Sequence, residues 1–168
     1  MAARLAQGDA LVDAFSRFGL SWIELSRHHP DDARNQTIMR FRPGEPITDG
    51  DAFATVARRL RGRFPLRLVC IVQRGGIDDA DGVAAYLRWA ATLGAGTVIF
   101  REFSRLDDGY RDNATRRHVD AARVPMPALV DAVLASPLRA VLMPIERTAG
   151  YYFDNLRLRH REIGRAHV

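Results

Sequence analysis

The chain has 168 residues, of which 47% are hydrophobic and 27% charged, and its formal net charge is +5. This length and composition predict a single globular domain with one core. No run approaches the roughly 20 apolar residues of a membrane-spanning helix, and the first residues lack the apolar segment and cleavage site of a secretion signal, so we expect a cytoplasmic protein without a membrane partner.

The 25 basic residues are all arginine, because the sequence contains no lysine. This excludes a Schiff-base lysine, a lysine in a phosphate-binding loop and a lysine general base. The arginines are spread along the chain among aspartates, a distribution that does not favour nucleic-acid binding. Cys70 is the only cysteine, which excludes an internal disulfide and a site with several thiolate ligands.

Helical and strand patterns alternate from the beginning of the chain. Asp9 is the predicted cap of a first helix that ends before Gly19. Apolar residues recur within it at helical spacing: Leu11, Phe15 and Phe18. Residues 21–25 then predict a short strand, and residues 34–39 predict a brief helix.

The middle of the chain carries the clearest signals. Asp49 is the predicted cap of a helix with one apolar face: Phe53, Val56 and Leu60. Residues 66–72 predict a strand, and its continuous apolar core over 68–72 indicates burial on both faces of a parallel sheet. Two aspartates at 78–79 predict the start of a helix that ends at Gly94, and residues 97–100 predict the next strand.

The last third of the sequence is more polar. A loop is predicted over 104–123 and a helix over 125–135, which two prolines open. Two strands, 140–145 and 151–158, are predicted to form a hairpin across 147–150. Leucine and arginine alternate from 156 to 159, which is typical of an edge strand with its basic side in solvent.

The order of strands and helices predicts an α/β fold with a parallel sheet and right-handed crossovers. Three parallel strands and a hairpin are too few to close a barrel, so we expect at least one bare sheet edge. In parallel sheets the strand carboxyl ends meet on one side, and binding groups collect there. Polar residues follow all three predicted strands at these ends, at 26–29, at 73–76 and at 101–105.

The same segments carry a family resemblance. They read LVCIVQRGGIDD at 68–79, AATLG at the end of a helix, and TVIFREF at 97–103. In this order they resemble the later strands of radical S-adenosylmethionine (radical SAM) enzymes. The run IELSRHHPDD at 23–32 is similar to the middle strand of that family, where a polar residue after the strand faces the cofactor. The likeness covers about residues 8–103.

The resemblance implies a partial (βα) barrel over residues 1–135, followed by a C-terminal hairpin and basic tail over 136–168. It implies that Ser26, Gln73 and Arg101 lie near the ribose or aminoacyl part of S-adenosylmethionine, and that Glu102 faces substrate. The CxxxCxxC motif that holds the four-iron cluster of the family has no counterpart here. One cysteine cannot replace three, so no such cluster is expected in this chain alone.

A second family motif, Gly-Gly-Glu-Pro, is absent as well, because the Glu-Pro at 45–46 follows the wrong element, and residues 43–46 are interpreted as a loop. The chain is therefore predicted to be the C-terminal portion of a radical SAM-like protein that contributes part of the cofactor and substrate pocket and is inactive alone. Its expected partner is the missing N-terminal barrel half, encoded upstream or in an adjacent gene. A small molecule or a peptide is the expected substrate.

Two alternatives remain open. The chain could be a non-catalytic α/β domain that binds a small metabolite or a partner protein at the strand ends, in which case we expect a homo-oligomer that covers the bare edge. It could also be a cluster-independent barrel enzyme with Glu102 as general base. Against this last alternative, Glu102 with Arg101 is more typical of an ion pair that fixes a loop. His28 and His29 are interpreted as solvated loop histidines, and Cys70 as core packing.

Overall fold

The structure is a computed structural model that describes residues 2–39, 49–106, 109–150, 153–161 and 165–167. The predicted loop at 43–46 lies outside these ranges, as do positions 151–152 of the predicted hairpin. The helices are α1 (Ala2–Arg17), α2 (Asp32–Met39), α3 (Gly50–Arg61), α4 (Ala80–Thr92), α5 (Ala114–Ala122) and α6 (Met126–Ala135), with a 3-10 turn over Pro137–Ala140. The strands are β1 (Ile23–Ser26), β2 (Leu66–Val72), β3 (Thr97–Glu102), β4 (Leu142–Gly150), β5 (Phe153–His160) and β6 (Arg165–His167).

The six strands form one sheet in the order β1-β2-β3-β6-β5-β4. Strands β1, β2 and β3 are parallel, and β6 runs parallel to β3 on its other side. Strands β4 and β5 form an antiparallel hairpin, which joins the sheet where β5 pairs with β6. The α/β class, the parallel strands and the hairpin are thus confirmed. A barrel is not confirmed, because the described strands form a row that ends at β1 on one side and at β4 on the other.

Several helix boundaries follow the predicted signals. The Asp49 carboxylate accepts the Ala52 backbone N–H at 2.7 Å at the start of α3, and the Asp79 carboxylate accepts that of Gly82 at 2.7 Å at the start of α4. These bonds satisfy amides that have no partner within the helix. Gly94 follows α4 with a φ of 71°, a conformation that glycine adopts without strain.

The core lies on one face of the sheet, which we call the helical face. Helices α3, α4 and α6 cover it with Phe53, Tyr86 and Leu129 among others. Alternate residues of the central strands point into this core: Leu68, Cys70 and Val72 from β2, and Val98 and Phe100 from β3. Period-two alternation sends the residues between them to the opposite side of the sheet.

That opposite side, which we call the open face, carries Glu24, Ser26, Arg67, Val69, Ile71, Thr97, Ile99 and Arg101. Val69 is buried, whereas Arg67 and Ile71 are half-buried and Arg101 is exposed. The prediction that β2 is buried on both faces is therefore wrong for the open face. One layer of helices covers this part of the sheet.

Some predicted elements differ from the structure. Helix α1 begins at Ala2, so Asp9 lies inside it and forms an ion pair with Arg59 at 3.0 Å instead of capping it. Helix α5 lies within the predicted loop 104–123. On α3, Ala57 is buried where Val56 was expected, because Val56 lies on the exposed side of the helix.

The hairpin also departs from its prediction. The expected turn at 147–150 belongs to β4, and the two strands are instead separated by positions 151–152. Strand β5 is not an edge strand, because it lies between β6 and β4. Its alternation is nevertheless as expected, since Leu158 is buried and Arg159 is exposed.

Candidate ligand-binding face

The carboxyl ends of the strands are partly covered by the chain itself. The Arg74 backbone N–H donates to the Ala122 carbonyl at 2.8 Å, and Gln73 forms an isolated β-bridge with Arg123. Ile38 of α2 lies close by, 3.1 Å from the place that a Cβ on Gly76 would take. Gln73 is consequently only 2% exposed. As described, its side chain is not open to a ligand.

The segment after β1 is fixed by a buried arginine. Arg27 is 3% exposed, donates to the carbonyls of His29 and Pro30, and forms an ion pair with Asp32. Its guanidinium lies 5.5 Å from the ring centre of Phe53 and 6.0 Å from that of Trp89. Cation–π contacts of this kind are strengthened where water is excluded. Arg27 therefore joins the strand-end segment to the helical layer.

The prediction of solvated loop histidines is wrong for His28 and only partly correct for His29. His28 is buried and His29 is half-buried. The Asn35 side-chain oxygen accepts the backbone N–H groups of both, at 3.0 Å and 3.2 Å. Burial lowers the pKa of each imidazole, so the neutral forms are favoured. Their surroundings indicate a structural role for both.

Glu102 has two structural partners. One carboxylate oxygen accepts the Met126 backbone N–H at 2.7 Å, and the other forms an ion pair with Arg123. Helix α6 begins after Pro125, which cannot cap it with a side chain, so Glu102 supplies the missing acceptor from β3. The ion-pair interpretation of Glu102 is correct in kind, but the partner is Arg123 and not the adjacent Arg101.

Arg101 points to the open face, where it belongs to a charged cluster. Its guanidinium lies 3.8 Å from one carboxylate oxygen of Glu24, and the Arg67 guanidinium lies 3.7 Å from the other. Arg67 is further held by Trp22, whose ring centre is 3.8 Å from its guanidinium carbon. One carboxylate thus lies between two arginines, which leaves the cluster with a formal charge of +1. Arg101 is its most accessible member, since its side chain is 58% exposed.

Ser26 lies on the same face, at the end of β1 and in register with Val69. Ile71 is the register partner of Arg101, and Ile99 is that of Val69. The open face therefore offers a guanidinium, a carboxylate and a hydroxyl around an apolar floor. Such a combination suits a small ligand that has an anionic group and a flat apolar part. The structure brings Ser26 and Arg101 to this face, whereas Gln73 is buried and Glu102 lies on the other side of β3.

The other charged residues of this cluster, Glu24 and Arg67, were not predicted. Their signal was available, because each is a charged residue between two apolar neighbours in a strand and is separated by two positions from another residue of the open face. Sequence alone did not indicate which strand face the helices would cover. The covered face determines whether these charged side chains are available to a ligand or only form ion pairs with one another.

The four-iron cluster of the radical SAM family does not fit the described chain. Cys70, the only cysteine, is buried beneath α4 on the helical face, and burial raises the pKa of its thiol. Its Sγ lies 3.5 Å from the His28 carbonyl oxygen. Within the described ranges, no three histidine, cysteine or acidic side chains come together as metal ligands.

Comparison with family models and with curated proteins found no match to this chain. Among the helices of the described ranges, none is both long enough and apolar enough to cross a membrane.

Proposed function

We propose that the open face binds a small anionic or zwitterionic ligand, and that this ligand is S-adenosylmethionine. In this proposal the chain is one part of a (βα) barrel-like protein related to radical SAM enzymes. It is inactive alone, because the cysteines for the cluster belong to another polypeptide. The observation that carries the proposal is the position of Arg101, exposed beside Glu24 on the sheet face opposite α3, α4 and α6.

The layering of the fold supports the barrel-like part of the proposal. Parallel strands with helices against one face are the repeating unit of a barrel wall, and the ligands of such barrels bind at the carboxyl ends of the strands. Here α3, α4 and α6 lie on the same face of β1, β2 and β3, and the polar residues Glu24, Ser26 and Arg101 lie on the other. A doubly wound sheet would instead bury both faces beneath helices.

Two of the three residues implied by the resemblance suit S-adenosylmethionine. The Arg101 guanidinium can pair with its carboxylate, and the Ser26 hydroxyl can bond to the ribose. Gln73 departs from this set, because the chain segment at 122–123 covers it. Without the cluster iron to chelate the amino acid part of the ligand, the contacts are few, so weak binding is expected.

Titration calorimetry of the chain with S-adenosylmethionine tests the proposal. We expect a Kd on the order of 1 mM, and we expect Arg101→Gln to weaken binding about tenfold, since it removes the charge-assisted bonds. Ser26→Ala should weaken binding less. Arg88→Gln, which changes an exposed arginine on the outer side of α4, is the matched control and should have no effect. Tight binding that neither Arg101→Gln nor Ser26→Ala affects, or no binding at several millimolar, would refute the assignment.

The same titration separates the two alternatives. A binding domain for another metabolite would take a different anion, such as ATP or a dicarboxylate, through Arg101 and would not take S-adenosylmethionine. An enzyme with Glu102 as general base is disfavoured by geometry, because both oxygens of that carboxylate are engaged by Arg123 and Met126.

A further inference from the structure

The two edges of the sheet differ in how they are protected against pairing. Strand β4, at one edge, contains Pro144 and an irregular register between Pro144 and Glu146. Proline and bulges are devices that prevent an edge from accepting another strand. Strand β1, at the other edge, has neither. Its sequence Ile-Glu-Leu-Ser is regular, and among the described strands it pairs with β2 alone.

The backbone groups that β1 offers can be identified. The Ile23 N–H donates to the Pro65 carbonyl at 3.1 Å, and the Arg27 N–H donates to the Val69 carbonyl at 3.1 Å. Because backbone groups alternate in direction along a strand, Glu24 and Ser26 direct their N–H and C=O groups to the opposite side, away from β2. The free edge of β1 therefore presents two residues with a regular set of donors and acceptors.

Helix α1, which residues 18–22 connect to β1, carries exposed apolar side chains. Asp9 and Asp13 bind Arg59 and Arg63, at the end of α3 and just after it, at 3.0 Å and 2.8 Å. At about 100° per residue, the apolar stripe lies on the opposite side of α1 from these two aspartates. The stripe consists of Leu11, Phe15 and Phe18. Phe18 is 84% exposed, Leu11 is 54% exposed and Phe15 is half-buried, so α1 presents much of its apolar side to solvent while its aspartates pair with α3 and Arg63.

We propose that β1 and the apolar stripe of α1 form a self-association surface, and that its occupant is a second copy of this chain. A two-fold axis through Leu25, perpendicular to the sheet, pairs β1 with β1 of the other copy in the antiparallel sense. Glu24 then faces Ser26 of the second copy, and their outward backbone groups form four hydrogen bonds over the two symmetric pairs. On the open face, the Glu24 carboxylate of one copy then lies opposite the Ser26 hydroxyl of the other copy.

The register is selected by charge. A shift that placed Glu24 against Glu24 would set two carboxylates directly opposite each other, which destabilises a strand pair. A shift in the other direction, with Ser26 against Ser26, would move Glu24 beyond the four-residue strand. The axis at Leu25 also keeps the α1 stripes of both copies on the same side of the joined sheet.

The area available is consistent with a dimer of ordinary size. Phe18 and Trp22, at 84% and 46% exposure, together offer on the order of 200–300 Å² of aromatic surface. A standard interface needs about 800 Å² on each partner. Leu11 and Leu20, at 54% and 42% exposure, and the backbone of β1 are the further surface that this dimer would bury. The inference does not depend on the proposed ligand. It concerns the chain alone, because a missing barrel half would compete with the second copy for the same edge of β1.

Sedimentation velocity over a range of protein concentrations tests it. We expect a concentration-dependent dimer for the full chain, and a dissociation constant at least tenfold higher for Phe18→Asp. The fold should be unaffected, because Phe18 is almost entirely in solvent. Met143→Asp, at an exposed position of the opposite edge strand β4, is the matched control and should leave the dimer intact.

Cysteine pairing tests the register. In a Cys70→Ala background, Leu25→Cys should form a disulfide-linked dimer on mild oxidation, because its Cα and that of the second copy would lie about 4.5 Å apart. Ile23→Cys, on the same face of the same strand, should not, since the two thiols would be about 13 Å apart along the strand. A monomer at every concentration, or a dimer that Met143→Asp disrupts and Phe18→Asp does not, would overturn the proposal. Titration of S-adenosylmethionine into Phe18→Asp distinguishes the two proposals. This variant should lose the dimer and keep the affinity for the ligand, so a failure of one proposal leaves the other standing.

Discussion

The backbone N–H of Ile71 donates to Nδ1 of His28 at 3.0 Å. In a continued parallel ladder this N–H would meet the Arg27 carbonyl, but that carbonyl accepts the Tyr86 hydroxyl at 2.7 Å. The imidazole therefore takes the place of a backbone acceptor between β1 and β2. Because Nδ1 accepts, the neutral ring carries its proton on Nε2.

This arrangement predicts that the free energy of unfolding falls as the pH decreases below about 6.5. Burial lowers the pKa of His28 from its ordinary 6.5 in the folded chain, so the unfolded chain binds the proton more readily in this range. The contribution is fully present above pH 6.5 and is lost towards lower pH. Denaturant unfolding at a series of pH values measures it.

The matched variants for this prediction are His28→Asn and His29→Asn. Asparagine places an oxygen near the position of Nδ1, so His28→Asn keeps an acceptor for Ile71 while it removes the titration, and the pH dependence should become flatter. His29 accepts the Asp31 N–H at 2.9 Å through its own Nδ1, but it is only half-buried. His29→Asn should therefore retain most of the slope. Equal flattening in both variants would contradict the assignment to His28.

Replacement of Arg27 is expected to destabilise the fold strongly. Arg27→Ala removes two hydrogen bonds to carbonyls, the Asp32 ion pair and the contacts with Phe53 and Trp89, and should cost about 2–4 kcal/mol. Arg27→Lys should recover only part of this loss, because an ammonium group lacks the planar fork. Arg34→Ala, at an exposed position of the neighbouring α2, should stay within about 0.5 kcal/mol. Chemical denaturation of the three variants measures the differences, and a cost for Arg27→Ala no larger than that for Arg34→Ala would argue against this role.

Glu102 is expected to affect stability and not ligand binding. Glu102→Gln weakens the ion pair with Arg123 and the bond to the first turn of α6, at a cost of about 1–2 kcal/mol. Glu146→Gln, in an exposed ion pair with Arg157, should cost less than about 1 kcal/mol. Thermal unfolding and the titration described for Arg101 are the two measurements. Unchanged stability with lost ligand affinity in Glu102→Gln would instead place this carboxylate in the binding site.

Anaerobic reconstitution with iron and sulfide is expected to leave no stoichiometric four-iron cluster on the chain. Such clusters need several thiolates, and Cys70 is a single buried thiol whose pKa is raised by burial. Iron analysis and visible absorption measure the outcome. The Cys70→Ala variant should retain the same small amount of bound iron as the unmodified chain. A brown protein with four irons per chain that loses its colour in Cys70→Ala would show that the fold can open around this residue.

The sequence was most informative where local signals and burial coincide. The run at 66–72 is strand β2 with the predicted bounds, because it is apolar at every position except Arg67. Helix α5 was missed, since most of its side chains are polar and only Val119 and Ala122 are buried. Strand β6 has three residues and takes its place by pairing with β3 and β5, which a short segment cannot reveal by itself.

The candidate site was predictable in part for a related reason. Arg101 and Glu102 are adjacent at the end of β3, and alternation places one on each face of the sheet. Which of the two meets solvent depends on the face that α3, α4 and α6 cover, and this is a property of the whole fold. The burial of Gln73 likewise depends on a contact with Ala122 and Arg123, about fifty residues away in sequence.

The position of β6 has a consequence for how the chain is synthesised. Arg165–His167 come after both hairpin strands in sequence, yet they lie between β3 and β5 in the sheet. A ribosome therefore produces the hairpin before the strand that connects its backbone to the parallel strands. Until synthesis has passed His167, the growing chain exposes β3 and β5 as two additional unpaired edges. During this time the nascent chain is most accessible to chaperones and most prone to incorrect strand pairing.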